Sequence, residues 1–217
     1  ILAQLAHSGG TVLISQPGRE SWSASTVRSE TTGNISHEMT LGEIQEVIDA
    51  HVCAARRVAA GGMDGVEILG AFGFLPQAFL SPLTNRRTDH YGGALENRMR
   101  FLMELLESVK GALGPDFVLG VRLPGDEFEP GGLDLAQMKE ICSRVSASGL
   151  VDYFNIIAHT NITHLGRARH WSPTPTPHGV FVDLAAAIRE VVEVPVFTVG
   201  RIVDPAHAED ILARGQA

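Results

Sequence analysis

MDGVEILGAFGFLPQAFLSPLTNRRTDHYGGALENRMR, Met63 to Arg100, decides how the rest of the chain is read. Gly65 to Leu69 is a short apolar run with β-branched residues and one acid, bounded by glycines, the pattern of a buried strand. A polar segment follows, with Pro82, Asn85, Arg86, Arg87, Asp89, Gly92 and Gly93. Then Leu95, Met99, Leu102, Leu106, Val109 and Leu113 recur at helical spacing, so they share one face of a helix. Strand, elaborate loop and helix make a βα unit.

The unit repeats on both sides. Phe117 to Leu123 is an apolar strand interrupted only by Gly120 and Arg122, and Asp134 caps a helix carrying Leu135, Met138, Ile141, Cys142 and Val145. Val151 to Ile157 is the next strand; a long loop with His159, His164, His170, Trp171 and His178 follows it, and its prolines argue against a regular element. A helix over Asp183 to Val192 leads to strand Val194 to Val199, then to Gly200-Arg201 and to Asp204-Pro205, an N-cap with proline at the first helical position. Toward the start, Ile1 to His7 reads as the end of a helix stopped by Ser8-Gly9-Gly10. Thr11 to Ser15 reads as a strand closed by the turn Gln16-Pro17-Gly18-Arg19, and Ser21 to Glu38 as a polar segment without structure. Thr40-Leu41-Gly42-Glu43 is a capping box opening a helix that stops at Gly61-Gly62. Five strands apolar on both faces, alternating with helices, imply an α/β fold with a parallel sheet covered by helices. Periodicity leaves a closed (β/α)8 barrel and an open, doubly wound sheet equally available.

The 217 residues are 44% apolar and 19% charged, the balance of a soluble globular domain. With a net charge of −8 and no basic run, the chain has no surface suited to nucleic acid or to an anionic membrane. No apolar run approaches the ~20 residues of a membrane span, and no signal peptide is visible, so the expected location is cytoplasmic. Cys53 and Cys142 fall on apolar helix faces and are expected to be buried thiols. The spacings of histidine and cysteine suggest no metal site and no disulfide framework.

SPLTNRRTDHYGGALENRMRF, Ser81 to Phe101, resembles the signature of the old yellow enzyme family. The likeness is to its multidomain branch, which includes dienoyl-CoA reductase, trimethylamine dehydrogenase and N-methylproline (stachydrine-type) demethylase. HSGGTVLISQPGRE, MTLGEIQEVIDAHVCAARRVAAGGMDGVEI, GPDFVLGVRL, GLVDYFNI and VPVFTVGRI agree with it in order, so the likeness runs the length of the chain. The resemblance implies a TIM barrel, of which strands three to seven are present. Residues 1–217 are then a partial FMN-binding TIM-barrel domain, truncated at both ends. FMN is the implied cofactor, and an iron–sulfur cluster or NAD(P) and FAD sites would lie in segments outside this chain. The implied partner is a small-molecule substrate, and a homo-oligomer is compatible with the full-length protein.

In a parallel barrel the working residues sit at the C-terminal ends of strands. Arg122 is the single charge in a buried run and needs an anion or an acceptor, of which Glu67 is one; the resemblance places it beside the flavin pyrimidine ring. Gly200 and Arg201 form the turn that, by the same resemblance, holds the FMN phosphate. The departures are as informative. Leu13 stands where the family has a flavin-binding glutamine and Gln16 where a histidine is usual, while Leu69 and Phe72 replace the polar pair that grips a substrate carbonyl. Phe74 replaces the proton-donating tyrosine, and phenylalanine neither polarises a carbonyl nor delivers a proton. Phe72, Phe74 and Trp171 read either as packing or as a cage for an alkylated ammonium; with Leu69 they are the substrate-binding candidates. His159 and His164, nearest the end of their strand, are the catalytic candidates, and the other histidines are expected to be solvated. The implied function is an FMN-dependent oxidoreductase passing a hydride through flavin N5, in dehydrogenation or demethylation of an N-methylated amine. The alternatives are an NAD(P)H-dependent ene or dienoyl reductase and a barrel that has lost flavin.

Overall fold

The computed structural model describes residues 1–11 and 20–217. Its main sheet has five parallel strands: β1 (Leu2–Leu5), β4 (Gly65–Leu69), β5 (Val118–Pro124), β6 (Tyr153–Ile157) and β7 (Val196–Thr198), paired in that order. Register runs Gln4 to Glu67 to Gly120 to Tyr153, and one step further Leu69 to Arg122 to Asn155 to Phe197. Because side chains alternate along a strand, Val66, Ile68, Leu119, Val121, Phe154, Ile156 and Val196 turn to one face and are buried. That face is covered by α1 (Leu41–Ala60), α3 (Leu95–Leu113), α4 (Leu135–Ala147) and α6 (Val182–Arg189), with α7 (Pro205–Ala213) following β7. The other face carries Gln4, Glu67, Arg122, Tyr153, Asn155 and Phe197, the polar inner face of a curved parallel sheet.

Local signals set the helix starts. Thr40 Oγ1 accepts the Glu43 amide at 3.2 Å while Glu43 Oε2 accepts the Thr40 amide at 2.7 Å, and Asp134 Oδ1 accepts the Gln137 amide at 2.8 Å. Ile44, Val47, Ile48 and Ala55 of α1 and Phe101, Leu102, Leu105, Leu106 and Val109 of α3 seal the core against the sheet. None of the described helices is long and apolar enough to cross a membrane.

Several sequence expectations need correction. Ile1 to His7 contains a strand, not the end of a helix: Leu2–Leu5 pairs with β4, and the alternation of Leu2 and Gln4 with Ala3 and Leu5 carries the period of two. Thr11 closes a short 3-10 turn, and the expected strand to Ser15, with Leu13 and the turn from Gln16 to Arg19, lies outside the described residues. The polar segment 21–38 holds two three-residue strands, β2 (Ser21–Ser23) and β3 (Ser36–Glu38), paired in parallel. The loop after β4 contains α2 (Leu75–Leu80), and the loop after β6 contains α5 (His164–His170); the prolines at 173, 175 and 177 lie beyond α5 rather than in it. Helix α6 spans Val182–Arg189, three residues shorter at its end than expected. Cys53 is exposed and only Cys142 is buried, because α1 turns the Cys53 side away from the sheet.

The loop that decided the fold is held as a scaffold. Asn85 Nδ2 donates to the Phe79 and Tyr91 carbonyls at 2.6 and 2.8 Å. Arg87 Nη1 donates to the Ala24 and Met39 carbonyls at 3.0 and 2.7 Å, and its Nη2 to Asp89 at 2.6 Å. Arg98 Nε bonds the Leu80 carbonyl at 2.8 Å. These groups pin the segment 21–39 and the end of α2 to the barrel, which leaves the strand ends free to carry chemistry.

Candidate active site

The C-terminal ends of β4, β5, β6 and β7 converge on a cleft of about 410 Å³ lined by Phe72, Arg122, Ile157, His170, Trp171, Ser172, Phe181, Val199, Gly200 and Arg201. Four of the sequence candidates, Phe72, Arg122, Gly200 and Arg201, meet here, and Trp171 forms its rim with 76% of its surface exposed. Leu69 lies beneath them at the end of β4, buried to 5% exposure. Phe74, half-buried at the N-cap of α2, packs edge-on to Phe72 with ring centroids 6.0 Å apart. Phe72 takes a left-handed backbone, φ 62°, which turns its ring back over the sheet.

Arg122 points across this face with its Cζ 5.2 Å from the centre of the Phe72 ring. Glu67, the carboxylate expected as its internal partner, is engaged elsewhere. It accepts from Gln4 Nε2 at 2.6 Å, Tyr153 Oη at 3.1 Å and Asn155 Nδ2 at 3.0 Å. Arg122 Nε is buried without a partner among the described residues. Burial lowers the guanidinium pKa from its usual value, with Glu67 acting in the opposite direction. A charged group left this way on a polar face is suited to an acceptor arriving from outside the protein.

Two imidazoles flank the cleft. His159, with φ 71° and 7% exposure, stacks obliquely on Phe128 at 5.0 Å and faces Phe181 edge-on at 5.9 Å. Burial first, then the Arg169 guanidinium, pushes its pKa down to about 4, so at neutral pH it is an uncharged imidazole able to accept a proton. His164 sits instead on the exposed first turn of α5, where its amide donates to Glu30 at 3.1 Å. His170, expected to be solvated, is only 5% exposed; its ring lies 5.0 Å from Phe72 and 4.6 Å from Trp171, and burial lowers its pKa. The helical period of α5, hidden by the prolines that follow it, places His170 on the inward side.

Gly200, with φ 110°, has no room for a larger residue: a Cβ there would lie 2.7 Å from the Phe181 ring. Arg201 follows with φ 55°, and its guanidinium is tied to the carbonyls of Pro173, Thr174 and Thr176 and to His178. What this turn offers an anion is therefore its backbone N–H groups rather than the arginine charge. The group that sequence reasoning missed is Gln4. Placing the first strand at 11–15 made Leu13 the position to inspect, whereas the strand is Leu2–Leu5 and presents a glutamine in register with Glu67. An alternating run as short as LAQL was the available signal.

Comparison with known proteins follows this geometry closely. The sequence profile of the NADH:flavin oxidoreductase / NADH oxidase family matches residues 1–217. The chain belongs to this family. Among relatives of this flavin oxidoreductase family member, the N,N-dimethylglycine/sarcosine dehydrogenase of Chromohalobacter salexigens is 42% identical over 173 residues, 80% of this chain and 25% of that protein. A probable N-methylproline demethylase of Rhizobium meliloti is 41% identical over 174 residues, 80% of this chain and 26% of that one. Among solved structures, 2-naphthoyl-CoA reductase superposes with a TM-score of 0.89 at 29% identity, over 99% of this chain and 34% of the other. An old yellow enzyme homologue of Zymomonas mobilis superposes with a TM-score of 0.79 at 26% identity, over 100% of this chain and 60% of the other, so the five strands are part of an old-yellow-enzyme-type TIM barrel; the chain spans about a quarter to a third of the length of the first three relatives.

Proposed function

We propose that residues 1–217 form part of the FMN-binding barrel of an oxidoreductase that dehydrogenates or demethylates an N-methylated amine. The observation that carries this reading is the end of β4. Leu69, Phe72 and Phe74 present aromatic and aliphatic groups where a carbonyl substrate would need a hydrogen-bond donor, and the neighbouring imidazoles of His159 and His170 are kept neutral. The activities for which two relatives are named, on dimethylglycine or sarcosine and on N-methylproline, agree with it.

The residues fit a flavin. Arg122 has a buried donor without a partner among the described residues, Gln4 lies on the same inner face, and Gly200 keeps open a turn whose amides can receive a phosphate. FMN, when bound, supplies the hydride acceptor. Arg122 and Gln4 would hold its ring and the amides of Gly200 and Arg201 its phosphate. On the substrate side, Phe72 and Phe74 attract an alkylated ammonium through their ring faces, each worth ~0.5–2 kcal/mol. Arg122 already stands 5.2 Å from the centre of the Phe72 ring, so the ammonium is received by what remains open of that aromatic surface. His159 and His170, as neutral imidazoles, place no like charge against the ammonium, and His170 lines the cleft beside Phe72. The barrel is completed by segments beyond those described, the substrate is a small molecule, and the protein works in the cytoplasm.

The test is anaerobic mixing of the oxidised complete protein with dimethylglycine, N-methylproline and an enone while flavin absorbance is followed. Bleaching by an amine is expected. Bleaching by none of them, together with rapid turnover of the enone by NAD(P)H-reduced protein, removes the amine reading.

A further inference from the structure

We propose that the buried pair Glu127 and Gln77 is a positioning device that fixes Phe72 and His159, at the ends of two different strands, in the arrangement that receives the amine. The inference rests on the function proposed above and assigns it two residues outside the cleft.

Glu127 follows β5 and is 1% exposed; Gln77 lies in α2 and is fully buried. Gln77 Nε2 donates to Glu127 Oε1 at 2.6 Å, while Glu127 Oε2 accepts from Ser81 Oγ and from the Leu133 amide, each at 2.7 Å. The other end of Gln77 faces the site: its Oε1 accepts the Gly73 amide at 2.7 Å, and its Nε2 also reaches the His159 carbonyl at 3.4 Å. The loops after β4, β5 and β6 are thereby joined through one carboxylate and one amide. The same loops hold four residues with a Cβ in left-handed conformations, Phe72 at φ 62°, Phe128 at 52°, His159 at 71° and Ser172 at 48°, of which the first three adjoin the pair. Phe72 precedes Gly73, Phe128 follows Glu127, and His159 is itself a partner. Left-handed backbone at residues with a Cβ persists only where the surroundings over-determine it, and this network is the surrounding common to the first three.

A buried carboxylate with no cation among its partners is a poor way to add stability, since an apolar pair of similar volume commonly does better. It is a good way to impose direction. The Gly73 amide can only be accepted, so the Gln77 oxygen must face Gly73 and its NH2 must face residue 127. Residue 127 must in turn offer acceptors to Gln77, Ser81 and Leu133 together, which a carboxylate does and an amide does not.

That polarity gives the experiment. In the complete flavoprotein, E127Q sets two NH2 groups against each other, and Q77E sets two carboxylates together. The swap Q77E/E127Q restores every contact except the long one to His159. With dimethylglycine as probe, each single variant is expected to raise KM about tenfold, the effect of one buried group left unsatisfied. Flavin per chain stays unchanged, and the swap returns KM to within about threefold of wild type. Titration of isotope-labelled His159 by NMR gives a second readout that needs no turnover. Its pKa, held at about 4, moves toward 6.5 in E127Q; in the swap, which gives up the contact to His159, KM is the quantity expected to return. KM and titration both unmoved in E127Q, whatever its thermal stability, would overturn the proposal, as would a swap no better than the single variants. If E127Q does not fold, a folded swap with wild-type KM supports the pair and an unfolded one sinks it. If the wild type oxidises no amine, the function proposed above fails while the His159 titration still decides whether the pair positions the loops.

Discussion

Replacing Arg122 by leucine should separate folding from flavin binding, because the structure gives the two opposite signs. In the flavin-free protein the guanidinium has an Nε buried without a partner and a pKa lowered by burial, and its compensation is the Phe72 ring at 5.2 Å. An unsatisfied buried donor costs ~1–3 kcal/mol, and a cation over an aromatic face returns ~0.5–2 kcal/mol. Leucine removes both terms, so flavin-free protein is expected to lie between ~1 kcal/mol less and ~2.5 kcal/mol more stable than wild type by these magnitudes. Flavin binding should move the other way. A charge-assisted hydrogen bond contributes ~1.5–3 kcal/mol, which is a factor of about 10 to 150 in the flavin dissociation constant. The assay is urea unfolding of the flavin-free protein beside equilibrium titration with FMN. A loss of more than ~2 kcal/mol in stability with unchanged flavin affinity would refute the reasoning and make Arg122 a structural cation.

Three further outcomes follow from particular contacts. A Cβ at Gly120 would lie 2.0 Å from the Tyr153 ring, so Gly120→Ala should displace the tyrosine and its bond to Glu67 at a cost of about 2–5 kcal/mol; urea unfolding should show most of that loss disappear in a Tyr153→Ala background. Arg87→Leu leaves the Ala24 and Met39 carbonyls and Asp89 without their donor and should cost ~3–5 kcal/mol, with limited proteolysis cutting first within 21–39. His159 has a folded pKa of about 4 against 6.5 for the free side chain, so between those values the unfolded chain binds the extra proton. Stability should therefore fall as pH drops from 6.5 to 4, by up to ~3 kcal/mol from this residue, and His159→Phe should flatten that part of the profile in urea titrations at several pH values.

The parts legible in the sequence were those whose physics is periodic or local. Strands β4 to β7 and helices α1, α3 and α4 follow from apolar spacing and capping residues, and the positions 69, 72 and 74 follow from where β4 stops. What was not legible was short or non-local. The four residues LAQL carry too little period to be told from a helix end, and because Gln4 went unseen, the case for a barrel without flavin rested on Leu13, outside the described residues, and on Phe74 in place of a tyrosine. The pairing of β2 with β3 depends on Arg87 reaching across from residue 87 to the carbonyls of residues 24 and 39, which no local pattern announces. The same division explains the site. The recognisable loop from Ser81 to Phe101 spends its polar groups on backbone carbonyls, as Asn85, Arg87 and Arg98 show, so its pattern reports the scaffold and not the substrate. By the proposal above, substrate choice is instead set at single side chains that this scaffold presents, Leu69, Phe72 and Phe74. Their substitution leaves the barrel intact because each sits past the hydrogen-bonded ladder or at its last pair, Leu69 with Arg122. On the function proposed above, a change from carbonyl to amine chemistry needs no change in the fold, only apolar groups at three strand-end positions and imidazoles buried deeply enough to stay neutral.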